Sequence, residues 1–224
     1  MIIFLHGALG SAAQFDTIKA QMPDWAEARA INLPGHGGQP AEEPFSAAGF
    51  AKAVLEVLDK NQTEKARIFG YSMGGYVALW LAWKFPERVQ SVLTYGTKLA
   101  WNPEVAAGMC RMFDPEKIEL KAPQMAENLA KTHGDGQWKD LCRRTADFLL
   151  ALGDGHGVPD HAFAHIHCPV VIGWGDADQV VTQEESMRVA SVIPAGRLEI
   201  LAGGKHLLEQ TSPEQLAAFI RRNL

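Results

Sequence analysis

Gly70-Tyr71-Ser72-Met73-Gly74-Gly75 stands between a short apolar run, Ala66 to Phe69, and a longer one that begins Tyr76-Val77-Ala78-Leu79-Trp80. The first run reads as a buried strand and the second as a helix, so the glycine-rich hexapeptide is a strand-to-helix turn. A sharp turn at that junction projects Ser72 from the sheet, and the flanking glycines permit the crowded backbone. The helix that follows directs its dipole and its free N–H groups at the same point. A glycine-rich βα turn with an incidental serine would look alike, so the rest of the chain has to decide.

Outward from the turn, apolar runs recur at Ile2–Leu5, Ala28–Asn32, Val89–Tyr95, Pro169–Trp174 and Arg197–Leu201. With the run at Ala66–Phe69 they make six strands. Helical patterns fall between them at about 12–22, 47–60, 73–84 and 184–193, with a last one near 213–222. Strands alternating with helices of this length imply an α/β domain, its mostly parallel sheet covered by helices on both faces. The rhythm breaks once. From residue 98 to 165 no convincing strand appears, and Met, Trp and Leu recur at helical spacing between Gly134-Asp135-Gly136 and Gly153-Asp154-Gly155-His156-Gly157. The reading is a core of residues 1–97 and 166–224 carrying a helical insertion, 98–165, of the kind that serves as a lid or binding element.

Composition narrows the classes of function. The chain has 224 residues, 47% hydrophobic and 21% charged, with a formal net charge of −5. That suits one globular domain and gives no electrostatic case for nucleic acid or an anionic membrane as partner. Three widely spaced cysteines, Cys110, Cys142 and Cys168, do not form a disulfide framework. Met1-Ile2-Ile3-Phe4-Leu5 is too short for a signal core or a membrane span, which makes the cytoplasm the expected compartment. No oligomeric state follows from the sequence.

A serine hydroxyl near neutral pH needs a base to take its proton. Of the eight histidines, His206 is the best placed, in Ala202-Gly203-Gly204-Lys205-His206 just beyond the last strand, where a parallel sheet gathers its functional groups. The base in turn needs a carboxylate to fix its tautomer. Gly173-Trp174-Gly175-Asp176-Ala177-Asp178-Gln179-Val180-Val181 offers two, and spacing alone does not separate Asp176 from Asp178.

Taken together these segments resemble the α/β-hydrolase superfamily, whose chain order is Ser, acid, His. The resemblance implies Asp178 as the acid, because the family's loop reads glycine, two variable residues, aspartate, one variable residue, valine. His6-Gly7-Ala8-Leu9-Gly10-Ser11 resembles the family's oxyanion loop, and implies that the backbone N–H groups of Ala8 and Met73 bind the developing oxyanion. Asn32-Leu33-Pro34-Gly35-His36-Gly37 resembles a family turn, with Asn32 in place of aspartate. Lys205 intervenes where the family usually sets a glycine directly before the histidine. His6 and His36 are expected to be structural. The first strand here corresponds to the family's third, so a six-stranded sheet without the N-terminal hairpin is expected, with residues 98–165 where the family carries its cap.

The resemblance implies a serine hydrolase that needs no cofactor and cleaves a small or medium carboxylic ester or thioester through an acyl-enzyme on Ser72. A lyase of the menaquinone pathway would use the same three residues, with Arg111, Arg143 and Arg144 available to bind a carboxylate, and a C–C bond hydrolase acting on a diketone is a further alternative. A binding protein that retains the triad with little turnover is the rival from another class. Leu9 and Trp101 are candidate substrate contacts. Trp101, Trp138 and the Met109–Met112–Phe113 group suit either an acyl pocket or ordinary packing. His161, His165, His167 and Cys168 cluster as metal ligands sometimes do, but the supporting carboxylates are poorly defined, and no metal is expected.

Overall fold

In the computed structural model, which describes residues 1–22, 24, 25, 27–41 and 44–224, the sheet shows why apolar runs of this kind become strands. Along β1 (Ile2–Leu5), Ile2 and Phe4 pack into one apolar layer and Ile3 and Leu5 into the other. Alternation with period two therefore buries both faces, and no position is left for a polar side chain. The same division recurs in β3 (Ala66–Tyr71), β4 (Val89–Tyr95) and β5 (Val170–Gly175). The outer strands, β2 (Ala28–Ile31) and β6 (Gly196–Leu201), are partly exposed and carry Arg29, Arg197 and Glu199, which discourages pairing with another chain's edge.

The strand order is β2-β1-β3-β4-β5-β6, with every neighbouring pair parallel. The chain leaves β1 toward β2 and returns on the other side as β3, so strand order reverses between β1 and β3. In open parallel sheets the crevice at such a switch point is where ligands bind. One face is covered by α2 (Ala47–Lys60), α3 (Met73–Lys84) and α9 (Gln183–Val192), the other by α1 (Asp16–Ala20) and α10 (Pro213–Asn223). Side chains of Ser46, Thr182 and Ser212 cap α2, α9 and α10, each satisfying an N–H that a helix start leaves open.

The stretch read as one helix over 12–22 is instead a 3₁₀ turn, Ala12–Phe15, running into the short α1. Asn32 accepts the Ala12 N–H at 2.6 Å, and the Gln14 carboxamide accepts the Gly7 N–H at 3.3 Å. The first turn is thereby tied to two neighbouring loops. Residues 98–165 hold α4 (Pro103–Cys110), α5 (Pro115–Lys121), α6 (Pro123–His133), α7 (Trp138–Ala151) and α8 (Asp160–Phe163), and no strand among the described residues. Proline at the first turn of α4, α5 and α6 starts each without losing a hydrogen bond. Ile118, Ala126, Leu129, Trp138 and Cys142 form a small core within the insertion. No helix among the described residues is long and apolar enough to cross a membrane.

Candidate active site

Ser72 sits between β3 and α3 at φ 50°, ψ −116°, a left-handed conformation that costs a residue with a side chain of order 1–3 kcal/mol. The surroundings over-determine it. Its N–H donates to the Tyr95 carbonyl at 2.8 Å, and its own carbonyl accepts from the Thr97 hydroxyl at 3.1 Å and the Gly75 N–H at 3.0 Å. Gly70, Gly74 and Gly75 make the turn sterically possible. A Cβ on Gly74 would overlap the Leu5 carbonyl, one on Gly75 the Thr97 hydroxyl, and one on Gly70 the Gly75 backbone. These glycines are needed for close approach, not for their φ. Ser72 occupies the cap position of α3 but makes no side-chain cap bond, unlike Ser46, Thr182 and Ser212. Its hydroxyl is thus left for another partner.

That partner is His206. Ser72 Oγ lies 3.5 Å from His206 Nε2, at the long limit of a hydrogen bond, and His206 Nδ1 lies 2.9 Å from Asp178 Oδ2. The second Asp178 oxygen accepts the N–H groups of Val180 at 2.7 Å and Val181 at 3.0 Å. Burial pushes the Asp178 carboxyl up, but the His206 hydrogen bond, the two amides and the imidazole charge together outweigh it and hold the group below its ordinary value. A carboxylate there accepts from Nδ1–H and leaves Nε2 as the lone pair facing Ser72. Asp176 is exposed and accepts only the Gly203 N–H, at 2.6 Å. The structure therefore brings Asp178, and not Asp176, to His206. The extra residue of the histidine loop is held on both sides: the Lys205 N–H donates to Thr211 Oγ1 at 3.0 Å, and its carbonyl accepts from the Tyr95 hydroxyl at 2.9 Å.

At the end of β1, Gly7 to Gly10 closes as a tight turn, Gly10 N–H donating to Gly7 C=O at 3.0 Å. A Cβ on Gly7 would stand 2.7 Å from the Tyr71 ring and 3.4 Å from Ser72 Cβ, so the turn is pressed against the serine. Among the described residues the amides of Ala8 and Met73 have no acceptor, which leaves both free for a ligand. His6 lies beneath the turn, donating from Nδ1 to Gly7 C=O at 2.8 Å and accepting the Leu33 N–H on Nε2 at 3.1 Å. Burial pulls its pKa down to about 4. His36 is also fully buried, stacks on Phe45, and is pulled well below its ordinary value by burial first and then by His6. Asn32 uses both ends of its amide, accepting from Ala12 and donating to the Gly37 carbonyl at 3.3 Å.

A cavity of about 340 Å³ opens beside Ser72 and His206, at the lower end of the range for small-molecule sites. Ala8, Leu9 and Met73 reach it from the core, and Trp101, Met109 and Phe113 line it from the insertion. Trp138 does not: it is 3% exposed within the insertion's own core. Lys98 is the one Lys, Arg, Asp or Glu side chain on the cavity wall among the described residues, and it is paired at 2.5 Å with buried Glu185. Arg111, Arg143 and Arg144 are not on the wall. Arg143 pairs with Glu116 and Arg144 with Asp140. Among the described residues no group of three His, Cys, Asp or Glu side chains suits a metal, and His161, His165 and His167 are exposed.

Two positions escape a reading of the sequence. Gly96 adopts φ 60°, and a Cβ there would come within 3.4 Å of both His206 and Asp178. Thr97 braces the serine turn from the loop just beyond β4. A glycine directly after an apolar strand run is the only sequence signal for the first, and nothing local marks the second.

The profile of the alpha/beta hydrolase family matches residues 2–219. A pimeloyl-[acyl-carrier protein] methyl ester esterase of Neisseria meningitidis is 35% identical over 91 residues, 41% of this chain and 34% of that enzyme. The chain thus spans about a third of the length of such curated relatives. The structure of MenH from S. aureus superposes with a TM-score of 0.77 at 18% identity, covering 100% of this chain and 92% of that one. The enol-lactonase from Burkholderia xenovorans LB400 gives 0.78 at 17% identity, covering 99% and 89%.

Proposed function

The chain belongs to the alpha/beta hydrolase family, and from that premise we propose that it hydrolyses a carboxylic ester, with a thioester as the alternative acyl donor, through an acyl-enzyme on Ser72. The observation that carries the reading is the continuous line from Ser72 Oγ to His206 to Asp178, with Oγ opening onto an apolar cavity. His206 Nε2 takes the proton as Ser72 Oγ attacks the carbonyl carbon. The Ala8 and Met73 N–H groups hold the oxyanion that forms, and the tetrahedral adduct collapses as His206 passes the proton to the leaving oxygen or sulfur. Water then attacks the acyl carbonyl, giving its proton to the same nitrogen, and the acid departs with Ser72 restored. The helical insertion acts as the cap that walls the acyl chain.

The cavity favours an uncharged acyl chain, because the one Lys or Arg on its wall among the described residues is already paired with Glu185. The partial match to an esterase of a pimeloyl methyl ester supports an ester as the bond cleaved. The lyase alternative calls for arginines to hold a carboxylate, and the three available for this lie off the cavity wall.

Labelling with a fluorophosphonate, followed by peptide mapping, tests the reading. Modification at Ser72 is expected in the wild type, lost in Ser72→Ala and slowed in His206→Ala, and simple p-nitrophenyl esters turn over repeatedly. Folded wild-type protein that neither labels nor turns over would overturn it, and single slow acylation without turnover would point to a ligand-binding role.

A further inference from the structure

The insertion grips the turn beside Ser72 at one residue, Leu9. Leu9 adopts φ 55°, a left-handed conformation that a leucine does not hold unaided. Its side chain packs against the insertion's core of Ile118, Ala126, Leu129 and Trp138. Its carbonyl, 3.0 Å from His133 Nε2, accepts a hydrogen bond from the last residue of α6. On its other side the His133 ring accepts the Gly37 N–H on Nδ1 at 2.9 Å. An amide N–H only donates, so Nδ1 is unprotonated and the proton sits on Nε2, as the bond to Leu9 requires. The ring is 1% exposed and does not line the cavity.

His6 does the mirror-image work from below, donating from Nδ1 to Gly7 and accepting Leu33 on Nε2. The turn that carries the Ala8 N–H is therefore bracketed by two neutral imidazoles of opposite tautomer, one belonging to the core and one to the insertion.

We propose that His133 is a positioning residue that holds the Leu9 carbonyl and so aims the Ala8 N–H at the reacting oxygen, making the oxyanion site complete only when the insertion is seated on the core. The inference rests on the reading of Ser72 and Ala8 given above. Ala8 and Leu9 are the two central residues of the Gly7–Gly10 turn. If Leu9 relaxes toward an ordinary φ, the peptides on either side of it rotate and the direction of the Ala8 amide shifts with them. The His133 bond and the contacts of Leu9 with the insertion's small core both come from the insertion, while Leu9 also packs against the main core, so lifting the insertion removes the carbonyl restraint and part of the packing together.

The test compares wild type, His133→Phe and His133→Gln. Phenylalanine keeps a ring of similar bulk and loses both bonds. A glutamine amide presents an acceptor and a donor side by side and can restore them. In His133→Phe, kcat on a p-nitrophenyl ester should fall about 10–100-fold with KM little changed, because loss of a whole oxyanion donor costs about 10²–10³-fold. Affinity for a trifluoromethyl ketone, whose adduct carries the oxyanion, should fall in proportion, inhibition by the product acid should stay unchanged, and glutamine should recover most of the loss. Hydrogen exchange in the segment 7–12 should accelerate in His133→Phe and not in His133→Gln. A kcat within about twofold of wild type, or a kcat loss without weaker ketone binding, would overturn the role. If wild type neither labels nor turns over, the hydrolase reading falls, and the exchange arm alone decides whether His133 holds the turn. Should the phenylalanine variant fail to fold, His133→Met, which likewise loses both bonds, takes its place, and the same kcat, ketone-affinity and exchange outcomes decide.

Discussion

Acid is the perturbation for which the structure gives a magnitude. His6, His36 and His133 lie in one buried group, with ring centroids 4.7 Å apart for His6 and His36 and 6.0 Å for His36 and His133. Burial lowers all three pKa values, that of His6 from 6.5 to about 4. As pH falls through 6.5 the unfolded chain takes up these protons first, and the native chain follows only at lower pH, near 4 for His6. The stability contribution is therefore fully present above about pH 6.5 and is lost as pH drops toward 4. At about 1.4 kcal/mol per pH unit for one proton, His6 alone loses about 3 kcal/mol across that window. His36 and His133, lowered in the same direction, steepen the loss further, against a total of about 5–15 kcal/mol for a typical domain. Asp178 also loses stability on acidification, because its pKa is lowered, but only below its ordinary value of 3.8, so the windows do not overlap. Urea unfolding followed by tryptophan fluorescence, at half-unit steps from pH 7.5 to 4.5, reads the slope directly. His36→Phe should reduce it by about one proton, near 1.4 kcal/mol per pH unit. Stability that stays within about 0.5 kcal/mol between pH 6.5 and 5, against the loss that linkage requires, would refute the reasoning.

Further outcomes follow from single contacts. Asp178→Asn should lower kcat by about 10⁴-fold through loss of the correct His206 tautomer, whereas Asp176→Asn, whose carboxylate accepts the Gly203 N–H and does not meet His206, should leave kcat within about twofold; steady-state kinetics separates them. Ser72→Gly removes the side chain from a left-handed position and should raise Tm by about 2–4 °C while abolishing turnover, a trade that calorimetry and an ester assay read together. In a p-nitrophenyl ester series, kcat/KM should rise about three- to fourfold per methylene until the cavity is full. Leu152→Trp, which fills part of the wall, should move that break to a shorter chain, and an unmoved break would place the acyl group elsewhere.

Most of the fold was legible because its signals are local. Each strand run carries its own apolar pattern, and the six appear within a residue or two of the expected places. The serine turn was legible for the same reason, since strand, glycines and helix lie within some twenty residues. What could not be read depends on residues distant in sequence. Asp176 and Asp178 have like neighbours, and only the family pattern chose between them; the structure separates them by which one His206 meets, 28 residues on. Trp138 and Trp101 were equivalent aromatics on helical patterns until the insertion's packing sent one inward and the other to the cavity. His133 left no trace at all, because its two partners lie 124 and 96 residues away.

The two non-glycine residues held at positive φ beside the cavity, Ser72 and Leu9, explain why function resides at the distant contacts. A local sequence preference relaxes such residues; only tertiary partners keep them in place. For Ser72, the proposed nucleophile, the partners are Tyr95, Thr97 and three glycines, all within the core, so its conformation does not depend on the insertion. For Leu9 the insertion supplies the hydrogen bond to the carbonyl and part of the packing, beside contacts with the main core. The two halves of the proposed site thus depend to different degrees on the docked insertion. A chain whose core has folded without a docked insertion would present Ser72 and His206 already in line, yet lack a fixed Ala8 donor. Such a chain should still be labelled slowly by a fluorophosphonate while hydrolysing esters poorly, which would make the ratio of labelling to turnover a measure of how firmly the insertion is seated.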